Sequence, residues 1–148
     1  MTCPDLTIRG YDHKDHDGLA MLYRLAFPDD PPWNKPEDMI ASKIAFDLEG
    51  LLVGLIGGQV AASIMAGYDG HRGWINALAV HPEHRGQGYG AMMMRQAVAL
   101  LTKRGAVKIN LQIRGDNHRL QRYYESLGFE AEDRLSMSLL TSLGESYR

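Results

Sequence analysis

The chain has 148 residues, 45% of them hydrophobic and 23% charged, which suits one soluble domain with a core of its own. A formal net charge of −2 removes the electrostatic case for nucleic acid or an anionic membrane as the main partner. The single cysteine, Cys3, excludes an internal disulfide, and no basic-then-apolar leader opens the chain, so a cytoplasmic protein is expected.

Taken in order, Leu6 to Arg9 reads as an edge strand, and Asp15 to Phe27 as a helix with Leu19, Leu22, Tyr23 and Ala26 at helical spacing. The proline-punctuated loop from Pro28 to Asn34 separates it from a second helix, 36–47, with Pro36 suited to a first turn. Leu51 to Tyr68 is uncharged and long enough to raise a membrane question, yet Gly57-Gly58 interrupts it. A strand hairpin, 51–56 and 60–68, accounts for it better. The turn Asp69-Gly70-His71-Arg72-Gly73 leads to a third strand, 74–80. A helix over 90–104, with Met94, Ala97, Val98 and Leu101 on one stripe, ends at Gly105. Strand 107–113 should lie parallel to 74–80, since a helix joins them. Asn117 can cap a last helix whose stripe is Leu120, Tyr123, Tyr124 and Leu127, closed by Gly128. A final strand over about 135–140 would complete a mixed sheet. No repeat or linker breaks the chain, so 1–148 is expected to be one α/β domain.

The most informative stretch is Trp74 to Gly90, where a short apolar strand is followed by Pro82, a polar turn, Arg85-Gly86-Gln87-Gly88-Tyr89-Gly90 and then a helix. Glycines let a backbone turn sharply and approach a ligand, and the unpaired N–H groups at a helix start face outward with the positive end of the dipole. With Arg85 added, the arrangement suits a pyrophosphate. The run from Gly86 to Ala91 also satisfies the dinucleotide pattern G-x-G-x-x-A. That pattern fails on context: His81 to Arg85 intervene between strand and glycine, and the next strand ends in Arg114 rather than an acidic residue.

Arg-x-x-Gly-x-Gly after Leu78-Ala79-Val80 resembles the acyl-CoA loop of the GCN5-related N-acetyltransferases, the GNAT family. A second block, Asn117 to Phe129, is similar to that family's later motif: an asparagine, a tyrosine seven residues on, then Leu-Gly-Phe. The two motifs stand in the family's order, and the resemblance covers essentially the whole chain. It implies a mixed, mostly antiparallel sheet of six to seven strands with about four helices. It also implies that the strands equivalent to 74–80 and 107–113 splay apart to admit acetyl-CoA. Backbone groups near Leu78, Ala79 and Val80 would pair with the pantetheine arm, and one N–H would polarise the thioester carbonyl as an oxyanion donor. Arg85, Gly86, Gln87, Gly88, Tyr89 and Gly90 would hold the pyrophosphate, and Asn117 would bond to the cofactor's arm. Tyr124 matches the tyrosine that protonates the departing thiolate, while Tyr123 beside it is expected in the core.

Many members place a glutamate early in the strand equivalent to 74–80, and here that region reads His71-Arg72-Gly73-Trp74. Asp69 or His71 could act as base, directly or through water, although Asp69-Gly70 is also ordinary turn chemistry. Asn76 could position that water but cannot take the proton. His81 and His84 flank Pro82 without ligand spacing to other histidines or to cysteine, so no metal site is expected. Trp33 and Asn34, with Asp29 and Asp30, fall where the family's acceptor cleft lies and would suit a cationic amine, or Trp33 plugs the core edge. The pairing of Pro-Trp-Asn with the Gly-Tyr-Asp-Gly-His-Arg-Gly turn is similar to a small bacterial subgroup of YpeA type.

The reading is therefore an acetyl-CoA-dependent N-acetyltransferase that acts by direct attack of an amine, either on a small molecule or on a protein N-terminus or lysine. No serine or cysteine arrangement argues for a covalent intermediate. A homodimer is compatible with the sequence. The missing carboxylate suggests an alternative: a non-catalytic acyl-CoA binder or sensor of the same fold. A nucleotide-binding module, the third reading, would answer to NAD or ATP instead.

Overall fold

The computed structural model describes residues 4–147; Cys3 lies outside them. They divide into two compact units, with the boundary between Leu111 and Gln112.

The first unit is built on a five-stranded sheet in the order β1 (Thr7–Gly10), β2 (Leu51–Ile56), β3 (Gln59–Tyr68), β4 (Gly73–Val80) and β5 (Ile109–Asn110). Neighbours are antiparallel except β4 and β5, which run parallel as their helical connection requires. The uncharged run 51–68 is the β2–β3 hairpin, turned by Gly57 and Gly58 at φ +58° and +80°. Positive φ at both central residues is the condition for the tight turn that follows strand twist. Among the described residues, no helix is long and apolar enough to cross a membrane.

Helices α1 (His16–Ala26), α2 (Pro36–Asp47) and α3 (Tyr89–Arg104) cover the sheet. Ala61 to Met65 of β3 and the next residue, Ala66, are all buried, so both faces of that strand are covered. Leu19, Leu22 and Tyr23 of α1 and Ile40 of α2 share one core with Leu51, Val53, Met65 and Ala79. On the opposite face, side-chain-free positions admit α3: a Cβ on Gly73 would meet Leu101 Cδ1 at 2.8 Å, and one on Gly54 would meet Met93 Sδ at 3.0 Å. The α3 stripe includes Met93 as well as the predicted Met94, Ala97 and Leu101.

Two ion clusters hold the helices. Asp15, only 4% exposed, accepts from Arg9 Nη1 and Nη2 at 2.7 and 2.9 Å and from the Asp12 N–H at 2.8 Å. Asp47 accepts from Arg104 at 2.8 and 3.0 Å, and Lys43 bridges Asp47 to the Ala66 carbonyl. Hydrogen bonding from the facing arginine is the main cause that lowers each carboxylate below its ordinary pKa.

The second unit contains α4 (His118–Ser126) and a short α5 (Ser142–Glu145). Asn117 caps α4, its side-chain oxygen accepting from Leu120 N–H at 3.1 Å, and Gly128 follows at φ +100°. Both features match the sequence reading.

The sheet is smaller than the six to seven strands expected, and the α-helices among the described residues number five rather than about four. Strand 107–113 contracts to Ile109–Asn110, and 135–140 forms no strand. Both segments alternate polar and apolar residues, but a strand also needs a partner for its N–H and C=O groups. Pairing of β5 with β4 stops at Trp74–Asn110, and Leu135, Met137 and Leu139 stand 87%, 86% and 91% exposed with no ladder. The added helix is α5, capped by Thr141.

Two expectations follow. A Cβ on Gly50 would lie 2.2 Å from the Ala66 carbonyl oxygen and 2.4 Å from Asp47 Oδ2, so Gly50→Ala should cost about 3 kcal/mol in urea unfolding. Gly54→Ala, which meets only flexible side-chain ends, should cost less. Asp15 and Asp47 titrate lower in the folded than in the unfolded chain, where a carboxylate sits near ~3.9. Their contribution is therefore complete at neutral pH and declines below about pH 4, as the unfolded chain takes up protons first. Replacing both by asparagine should flatten that acid limb of a stability–pH curve.

Candidate active site

Strand β4 carries an irregularity that the sequence does not announce. Ser63 pairs with Ala79 and Met65 with Asn76, so Ala77 and Leu78 together oppose Ile64. This is a bulge, and Ala77 sits at φ +50°, the one described non-glycine residue with positive φ. An alanine in the left-handed region costs about 1–2 kcal/mol, which the surrounding core must offset. Nothing in the sequence marks it, because alanine carries no turn signature. The bulge takes Leu78 out of regular pairing, while Ala79 and Val80, the other residues expected to meet the thioester arm, stay in register with Ser63 and Ala62.

After Val80 the chain passes through a 3-10 turn, Pro82–His84, capped by His81, whose Nδ1 accepts from Glu83 N–H at 3.1 Å. Arg85 then folds back, its Nε donating to the Val80 carbonyl at 3.2 Å. Gly86 and Gly88 take φ of +79° and +84°, and neither has a heavy atom within 4 Å of where a Cβ would stand. Glycine is needed here for conformation, and the surface outside the loop is open. Gly88 is the N-cap of α3 and offers no side chain to the first-turn N–H groups. The start of α3 thus carries the positive end of the helix dipole with no capping side chain. Gln87 is exposed, whereas Tyr89 is buried with its hydroxyl on the Pro4 carbonyl, so only its backbone can serve a ligand.

Asp69 closes the turn before β4. Its carboxylate accepts from the N–H groups of His71 and Arg72 at 2.9 and 2.7 Å and from Trp74 Nε1 at 3.1 Å. Those bonds, that from Arg72 first, hold its pKa below the usual carboxylate value. Such a group is a weak base. His71 lies exposed in the same turn, and Asn76 is exposed on β4. Between α1 and α2, Trp33 and Asn34 sit in a 3-10 turn, Pro32–Asn34, with Trp33 40% exposed and Asp29 and Asp30 at the surface.

In the second unit Tyr124 stacks edge-on between Tyr123 and Phe129, with ring centroids 5.4 and 5.9 Å away. Burial pushes its phenol up to about 12, Tyr123 adding to the effect. Tyr123, expected in the core, is instead more than a third exposed at 37%. Asn117 spends its side-chain oxygen on the α4 cap, which leaves the amide nitrogen to address a ligand. Among the described residues, no group of three or more His, Cys, Asp or Glu could hold a metal ion.

With this geometry in view, known proteins give a consistent picture. The profile of the Acetyltransferase (GNAT) family matches residues 19–129. An acetyltransferase of Sodalis glossinidius is 44% identical over 86% of this chain and 89% of its own. Among solved structures, the ribosomal-protein-S18-alanine N-acetyltransferase of Escherichia coli is 25% identical, with TM-score 0.71 over 85% of this chain and 78% of that one. An aminoglycoside N-acetyltransferase solved with CoA has the same fold at 15% identity, with TM-score 0.74 over 93% of this chain and 96% of that one.

The bulge gives a direct check. Ala77→Gly should be neutral within about 0.5 kcal/mol, since relief of strain offsets the added unfolded-chain freedom. Ala77→Val should cost roughly 2 kcal/mol or more in the same thermal or urea measurement.

Proposed function

The chain belongs to the GNAT family of acetyltransferases, and from that membership we propose that it moves an acetyl group from acetyl-CoA directly to an amine. The observation that carries the reading is the Arg85–Gly88 loop: two left-handed glycines deliver an uncapped helix start beside an arginine. A diphosphate satisfies those donors better than water does, because several N–H groups and the dipole act on one anion. The CoA bound to the aminoglycoside N-acetyltransferase of the same fold supports the choice of donor. On this reading residues 1–148 act as one N-acetyltransferase domain.

The proposed chemistry uses the chain's own groups in order. Leu78, Ala79 and Val80 align the thioester arm through backbone groups, and an N–H released by the bulge faces the carbonyl oxygen where negative charge develops. The amine nitrogen attacks the carbonyl carbon, the C–S bond breaks, and the sulfur takes the phenolic proton of Tyr124. Asn117 steadies the arm. The ammonium proton leaves through water toward His71, since Asp69 accepts three hydrogen bonds in its turn and from β4, and the Tyr124 phenolate regains a proton from solvent. Trp33 and Asn34, with Asp29 and Asp30 nearby, receive a cationic acceptor: a small-molecule amine or a protein N-terminus or lysine.

Tyr124→Phe should lower kcat about 100-fold or more while changing acetyl-CoA affinity less than about threefold, measured by thiol release and by calorimetry. Equal turnover in the two forms would remove Tyr124 from the mechanism. Because burial raises the phenol to about 12, the wild-type rate should show no alkaline loss from this group below about pH 11. An amine panel that liberates no CoA, from a protein that acetyl-CoA nonetheless stabilises, would leave only binding.

A further inference from the structure

We propose that the first unit carries a second binding site, a cleft that takes a small organic carboxylate with an apolar body. The cleft encloses about 430 Å³, within the ~300–1,000 Å³ of ligand pockets. Its walls come from three places: the start of α1, the tip of the β2–β3 hairpin and the residue after β4. No residue of the Arg85–Gly90 loop lines it.

Its polar side combines donors with one carboxylate. Lys14 supplies an ammonium and Gln59 an amide. His81 accepts at Nδ1 from Glu83 N–H, which places the proton of the neutral ring on Nε2 as a further donor. The carboxylate in the wall, Asp15, is held by both Arg9 nitrogens and by the Asp12 N–H. Its charge is thus compensated inside the protein and does not repel an anion.

The apolar side is formed by Met21, Leu22 and Val60. Met21 is 55% exposed, a large apolar side chain left to solvent at the rim. Gly18 brings α1 against the hairpin, since a Cβ there would meet Val60 Cγ2 at 3.2 Å. Donors facing an apolar wall select an anion with a hydrocarbon body over inorganic phosphate and over any amine.

The test is titration of the full chain with hexanoate, followed by calorimetry and by the imidazole resonances of His81. Hexanoate should bind at millimolar concentration or below and move the His81 signals, with butyrate weaker. Lys14→Glu, at an exposed position, should weaken hexanoate by roughly tenfold or more and leave acetyl-CoA affinity unchanged. Hexylamine or inorganic phosphate binding as well as hexanoate would overturn the proposal. So would silent His81 resonances, unchanged affinity in Lys14→Glu, or displacement of hexanoate by acetyl-CoA.

Discussion

The ladder between β3 and β4 is the constraint on which the first unit turns. β3 is buried on both faces along 61–66, so its register is fixed by packing from α1 on one side and α3 on the other. A strand paired to so determined a partner cannot slip as a whole. The extra residue at Ala77–Leu78 is therefore absorbed locally, as a bulge with one alanine in a left-handed conformation. The core shared by Leu19, Leu22, Tyr23 and Met65 holds that strain in place, with Ala77 packed against it. Stability elsewhere thus supports an irregular backbone shortly before the glycine loop.

The same strand shows why the loop after it works. β4 delivers Val80 at a fixed position, and Arg85 returns to the Val80 carbonyl, which closes the intervening turn. The glycines at 86 and 88 then reverse the chain into α3 with no side chain in the way. Neither clash nor packing dictates glycine at those two positions; conformation and access do. That distinguishes them from Gly50 and Gly73, where a methyl group would strike the Ala66 carbonyl or Leu101.

Much of this was legible in the sequence because it rests on local rules. The two glycines of the hairpin, the strand–loop–helix order around Arg85, the Asn117 cap and the α1 stripe depend on neighbours within a few residues. What escaped depends on partners. Alternation in 107–113 and 135–140 satisfies the pattern of a strand, but pattern alone supplies no hydrogen-bonding partner. The two segments end as a two-residue pair and as exposed chain. Ala77 escaped for the converse reason: its conformation is imposed by the register of β3 and leaves no mark on residue type. Asp69 shows a third case. Sequence offered it as base or turn former, and its carboxylate accepts from two turn N–H groups and from Trp74 Nε1, bonds that reach beyond what spacing shows.

The proton inventory of the proposed reaction then sets a condition on its order. In that proposal a phenol raised by burial to about 12 would donate to a thiolate whose conjugate acid lies near ~8.5 in water, an uphill transfer if complete. Before the C–S bond lengthens the sulfur is less basic still, which disfavours early donation. Donation must grow as the bond lengthens, when the forming thiolate, in surroundings dry enough to raise the phenol, is raised by the same desolvation. On the proposed reaction, burial of Tyr124 would hold the proton on oxygen until charge appears on sulfur.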